Sequence, residues 1–127
     1  MQPKPLKGLR HIALNVKLLE ACITFYKDML GMKIVWQPDN DNYYLSFGDD
    51  NLALHRAPFD FHPGRDQHLD HLGFFLDSPE EVDRWHDYLA ECGIKISAKP
   101  KTHRDGSRSC YVLDPDGNLV QLIYIPK

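Results

Sequence analysis

Apolar and polar positions begin to alternate at His11. His11-Ile-Ala-Leu-Asn-Val has a period of two, which predicts a strand opening on a histidine. Over residues 18–30 the period changes. Leu19, Cys22, Ile23, Phe25, Tyr26, Met29 and Leu30 fall at helical spacing, and Gly31 supplies the C-terminal stop. Two further strand-like runs follow, Tyr43-Tyr-Leu-Ser-Phe and Leu52-Ala-Leu-His, joined by the turn-forming Gly48-Asp-Asp-Asn.

Sixty positions after His11 the same pattern restarts. His71-Leu-Gly-Phe-Phe-Leu predicts a second strand led by a histidine. Ser78 suits a helix N-cap, Pro79 suits the first helical position, and Glu81 completes a capping box. Val82, Trp85, Tyr88, Leu89 and Cys92 form the apolar face of that helix, and Gly93 ends it. The exits correspond: Leu30-Gly-Met-Lys-Ile in the first copy, Cys92-Gly-Ile-Lys-Ile in the second. Cys110-Tyr-Val-Leu then turns at Asp114-Pro-Asp-Gly-Asn into Leu119-Val-Gln-Leu-Ile. Tyr44 to Asn51 spans the same interval as Tyr111 to Asn118.

The chain therefore reads as a tandem repeat of a β-α-β-β-β unit, an α+β architecture. Module one covers about residues 8–56 and module two about 70–126, together one domain of residues 1–127. Residues 57–69 hold two prolines and a glycine without periodicity, and read as the linker. Residues 98–108 are polar, and read as an exposed loop at a pocket mouth.

Composition narrows the function. The 127 residues are 43% hydrophobic and 26% charged, enough for a real core. Net charge is −3 with the signs mixed and no basic run, which argues against a nucleic-acid partner. No apolar stretch is long enough to span a bilayer, and the first residues lack a signal-peptide core, so a cytoplasmic location is expected. Cys22, Cys92 and Cys110 show no CxxC spacing, and read as reduced, structural thiols. His62, His68, His86 and His103 fall in the linker, the second helix and the polar loop, where surface placement is expected.

Two such units with a histidine on each leading strand, plus Leu113-Asp-Pro-Asp-Gly-Asn before the last strand, resemble the vicinal oxygen chelate family. That family includes glyoxalase I, extradiol dioxygenases, and fosfomycin and bleomycin resistance proteins. Phe25-Tyr-Lys-Asp-Met-Leu-Gly-Met also looks like its first helix exit, and the resemblance runs from about Leu9 to Ile125.

The resemblance implies two βαβββ modules forming a half-barrel cleft for a metal and a substrate, in a homodimer. It implies one divalent ion (zinc, nickel, cobalt, manganese or iron) that chelates adjacent oxygens of a small molecule. The leading-strand ligands match His11 and His71, and the final-strand ligand matches Gln121, where most metal-binding members have Glu. The corresponding position of the first copy falls on Ala53 or Leu54, depending on the turn gap. If it is Ala53, His55 shares the cleft face, because strand side chains alternate.

Gln121 can ligate but cannot take a proton, so the general base expected of glyoxalase I must move, and His55 is the substitute in reach. Tyr44 and Tyr111 match places where fosfomycin-resistance proteins approach substrate, or they fill the core as aromatics. Lys101, Arg104 and Arg108 fall where that branch binds anions. The expected activity is a glyoxalase I-like lyase or isomerase. The alternatives are a non-catalytic drug-binding protein and an extradiol-type dioxygenase, the last opposed by the lack of a carboxylate at position 121.

Overall fold

A computed structural model of the protein describes residues 2–126. The chain divides between Phe59 and Asp60 into two compact units. Each unit is a four-stranded mixed sheet with helical structure on one face, the α+β architecture that the repeat predicts.

In the first unit the strands are β1 (His11–Val16), β2 (Lys33–Asp39), β3 (Asn42–Ser46) and β4 (Asn51–Arg56), in the order β1-β4-β3-β2. β1 pairs with β4 in parallel and the other ladders are antiparallel. Strand alternation sends Leu14, Val16, Leu52, Leu54 and Leu45 to one face, where all are buried. The residues that cover them are also buried: Leu19 and Cys22 from α1 (Leu19–Ile23), and Phe25 and Tyr26 from the turn that follows. The predicted helix over residues 18–30 is thus two kinds of helix. After Ile23 it widens into a π-helical turn, Thr24–Met29, with Leu30 N–H donating to the Phe25 carbonyl at 2.9 Å. Phe25 and Tyr26 stack edge to face at 4.8 Å within that turn.

The second unit repeats the plan with β5 (Leu72–Phe75), β6 (Ile96–Thr102), β7 (Arg108–Leu113) and β8 (Leu119–Tyr124), in the order β5-β8-β7-β6. Its helix, α3 (Pro79–Glu91), starts as predicted: the Ser78 hydroxyl accepts from the Glu81 N–H at 3.3 Å. It ends in a Schellman motif, with Ile94 N–H on the Leu89 carbonyl, Gly93 N–H on the Ala90 carbonyl, and Gly93 at φ +82°. Val82 and Leu89 are buried, as are Leu72, Cys110, Val112, Val120 and Leu122 of the sheet.

Two sequence expectations change. Residues 98–108 are mostly strand: β6 runs to Thr102, β7 starts at Arg108, and the loop shrinks to residues 103–107. β6 is an edge strand, where Lys and Pro are tolerated because one side of the ladder is unpaired. The linker contains a short helical turn, α2 (Pro63–Asp66), built on the Pro-Gly dipeptide that marked it as irregular.

The cysteines separate by environment. Burial pushes the Cys110 thiol up to about 11, and Cys22 is also buried, whereas Cys92 is exposed. At pH 8 a water-soluble alkylating reagent should modify Cys92 alone in native protein. Mass spectrometry should find Cys22 and Cys110 labelled only after unfolding.

Candidate functional site

In both units the sheet face opposite the helix carries the candidate residues. Register fixes what shares that face, because directly paired residues point the same way. In the second unit Gly73 pairs with Gln121, and Tyr111 pairs with Gln121 from the other side. A side chain at Gly73 would sit 3.7 Å from the Gln121 Oε1 atom, so the amide oxygen lies over the bare backbone of β5. His71 is two residues before Gly73, and its ring meets Tyr111 edge to face at 5.5 Å. His71, Tyr111 and Gln121 thus occupy one patch.

The first unit has the same register with different occupants. Ala13 pairs with Ala53, and Tyr44 pairs with Ala53. Counting from the leading histidines, Ala13 corresponds to Gly73, so the counterpart of Gln121 is Ala53 and not Leu54. Ala53 is fully buried on this face and cannot ligate. His55, two residues along β4, therefore points the same way. It meets Tyr44 edge to face at 5.8 Å, and Tyr44 in turn contacts Trp36, with ring centroids 4.8 Å apart. The equivalent tyrosines each touch a histidine, but not equivalent ones: Tyr111 touches the leading-strand His71, and Tyr44 the final-strand His55.

All three site histidines are held through Nδ1. His11 Nδ1 lies 2.8 Å from the Asn51 Oδ1 and 3.2 Å from the Asn51 carbonyl oxygen. His71 Nδ1 lies 2.6 Å from the Asp70 carboxylate, and His55 Nδ1 lies 2.6 Å from the Asn42 Oδ1. Every partner is an oxygen acceptor, so Nδ1 donates in each neutral ring and the lone pair sits on Nε2. That is the state a metal ligand or a general base requires. With Gln121 on the same sheet face as His71, imidazole nitrogen and amide oxygen are donor types that suit a divalent ion, although they bring no negative charge. Among the described residues no group of three His, Cys, Asp or Glu is placed to hold an ion.

A cavity of about 540 Å³ lies beside the second patch, lined by His103, Arg104, Asp105, Ser107, Tyr111, Gln121 and Ile123. Two of the expected substrate contacts, Arg104 and Tyr111, line it. Lys101 does not, although its pairing with Ser109, which pairs with Ile123, puts it on the same sheet face. Arg108 belongs to the fold: its guanidinium bonds Asp83 of α3 at 2.7 and 3.1 Å and Thr102 at 2.9 Å. That pairing pulls the Asp83 carboxyl below its ordinary value.

Sequence reasoning passed over His103, whose Nε2 meets the buried Ser109 hydroxyl at 3.0 Å on the cavity wall. It also passed over the Nδ1 partners Asn42, Asn51 and Asp70. Asp70 was findable, since it directly precedes His71. Asn42 and Asn51 become partners only through strand pairing.

The profile of the glyoxalase/bleomycin resistance protein/dioxygenase superfamily matches residues 8–122. The chain belongs to that superfamily. Among curated members it resembles the metallothiol transferase FosB of Staphylococcus saprophyticus, 26% identical over 118 residues, covering 92% of this chain and 76% of the relative. It resembles the glutathione transferase FosA of Serratia marcescens at 28% over 120 residues, covering 92% and 80%. Among solved structures, lactoylglutathione lyase from Agrobacterium tumefaciens superposes with a TM-score of 0.76 at 26% identity, covering 95% of this chain and 96% of the other. The superfamily spans transferases and lyases, so membership alone does not select the reaction. No helix among the described residues is long and apolar enough to cross a membrane.

Proposed function

We propose that the protein is a metal-assisted transferase that adds a thiol to a small electrophile bearing adjacent oxygens. The observation that carries this reading is Gln121. By family correspondence it stands at the final-strand ligand position, and it pairs with Gly73 and Tyr111, yet its amide cannot accept a proton at neutral pH. Chemistry that needs a base on the metal-ligating residue is therefore disfavoured. Thiol addition needs only that the thiol be deprotonated, which a separate base can do. The relatives support the thiol: two are named as metallothiol or glutathione transferases, and the structural one is named a lactoylglutathione lyase.

His11, His71 and Gln121 would hold the ion, and its bound form supplies a Lewis acid for the chelated oxygens. His55 Nε2 takes the proton from the incoming thiol. As the C–S bond forms and a C–O bond breaks, the freed oxygen takes a proton back from His55. Arg104 supplies positive charge at the cavity for an acidic substrate group, with Lys101 farther along the face and Tyr111 as an aromatic wall, while Tyr44 offers an aromatic surface beside His55 on the first unit. In this reading the ligand set is shared between two copies of the chain, and the working form is a homodimer. A lyase or isomerase with His55 as base is the second reading, favoured by the likeness to a lactoylglutathione lyase.

The test is metal analysis of untagged protein purified without chelator, followed by thiol consumption with fosfomycin and glutathione or cysteine. About one divalent ion per chain and metal-dependent loss of thiol are expected. Gln121→Glu should tighten metal binding by about tenfold or more, since it adds a charge to the shell. Metal-free protein, or affinity unmoved by that variant, would sink the metal site and leave a binding protein. Bound metal without thiol loss, but with lactoylglutathione formed, would move the assignment to the lyase.

A further inference from the structure

His55 is held by a chain of side chains that ends in a carboxylate. Its Nδ1 lies 2.6 Å from the Asn42 Oδ1. The Asn42 Nδ2 donates to both oxygens of Asp39, at 2.9 and 3.1 Å. Asp39 is fixed in turn by the Asp41 N–H at 2.8 Å. The three members come from one hairpin and the strand beside it. Asp39 ends β2, Asn42 opens β3 directly across from it, and Asn42 also pairs with His55 on β4.

The order of donors and acceptors leaves one solution. A carboxylate only accepts, so the Asn42 nitrogen must face Asp39 and its oxygen must face His55. His55 must then carry its proton on Nδ1. The Asp41 amide and the Asn42 side chain hold the Asp39 carboxyl below its ordinary value, so it stays an anion at neutral pH. An imidazole free of such partners has no reason to keep this tautomer, because the hydrogen bond made by one ring nitrogen decides the state of the other. The ring is also walled by Tyr44 at 5.8 Å, which limits its rotation.

We propose that Asn42 and Asp39 are positioning residues that lock His55 in its Nδ1–H tautomer and so present Nε2 as a proton acceptor on the open face of the first unit. The second unit has no histidine at the corresponding place. Ile123 lies two residues after Gln121, as His55 lies two after Ala53, so an aliphatic side chain stands in the corresponding place. The duplicated sheet has thus diverged at this position, with a prepared base on the final strand of one copy and an aliphatic side chain on that of the other. The use of that base rests on the thiol-transfer reading above; the tautomer lock does not.

Long-range nitrogen–proton spectra of the full chain read the tautomer directly, with His55 assigned by its loss in His55→Ala. The expected result is Nδ1–H in the parent protein, a change toward Nε2–H in Asn42→Ala, and return of Nδ1–H in Asn42→Asp, whose carboxylate still accepts. His11 and His71, held by Asn51 and Asp70, serve as internal controls for intact folding. If the parent ring shows Nε2–H, or if Asn42→Ala leaves it unchanged while the controls are unmoved, the proposal is overturned. In the thiol assay Asn42→Ala should lower kcat by about tenfold at unchanged KM, by analogy with outer-shell partners. Unchanged kcat alongside a lost Nδ1–H signal would overturn the catalytic use of the lock. Full activity in His55→Ala would remove His55 as the base, a separate failure from that of the tautomer.

Discussion

Mixing His11→Ala and His71→Ala chains should restore metal binding that neither variant shows alone. Each single variant loses one imidazole from every site, and a two-donor remnant should not retain a stoichiometric ion at micromolar protein. If each site draws His11 from one copy and His71 with Gln121 from the other, exchange produces mixed dimers. In a mixed dimer one site has lost both histidines and the other has kept both. With random exchange half the dimers are mixed, so about a quarter of the sites should return. Thiol consumption should return in the same proportion. The measurement is metal content and activity after equal amounts are exchanged under mild denaturant and separated from free ion. Recovery near zero, with dimers shown by sedimentation, would mean that sites are not built across copies. Metal retained in full by either single variant would remove that histidine from the ligand set.

The architecture was legible because it is written twice. A strand led by histidine, a helix closed by glycine and a turn-linked strand pair recur at matching spacing, and coincidence on that scale is improbable. Ser78 and Gly93 announced the ends of α3 through cap chemistry that acts within one turn. Less legible were features set by pairing between distant strands. The sequence left Ala53 and Leu54 as equal counterparts of Gln121, and only the pairing of Ala13 with Ala53 and Gly73 with Gln121 decided between them. That decision placed His55 on the open face. The extent of β6 was hidden because an edge strand tolerates the lysines and proline that read as loop. Arg108 looked like a loop cation because nothing near it in sequence reveals Asp83 of α3, which neutralises it.

Replacing Asp114 by alanine should produce the largest loss of stability of any single polar substitution in the second unit. Its side chain is only 3% exposed, and its carboxylate organises the turn between β7 and β8. One oxygen accepts from the Asp116 and Asn118 backbone N–H groups at 2.9 and 2.8 Å, and the other accepts from the Asn118 side chain at 2.9 Å. Alanine strands all three donors. Hydrogen bonds to a charged group contribute roughly 1.5–3 kcal/mol each, but bonds sharing one carboxylate are not additive and the turn can relax after substitution, so a net cost of about 3 kcal/mol is expected. For a chain of this size that lowers Tm by roughly 10 °C. Asp114→Asn keeps an acceptor for the two backbone groups and loses the third bond, so it should cost about 1 kcal/mol. Hydrogen exchange should show the loss in β7 and β8 and leave β1 and β4 unchanged, since the turn that Asp114 organises joins two strands of the second unit. The consequence for function follows from register. β8 begins one residue after this turn, and a slip of one position would turn Gln121 from the open face to the helix face. A parent-like Tm in Asp114→Ala would show that the ladder, not the turn, fixes where Gln121 points.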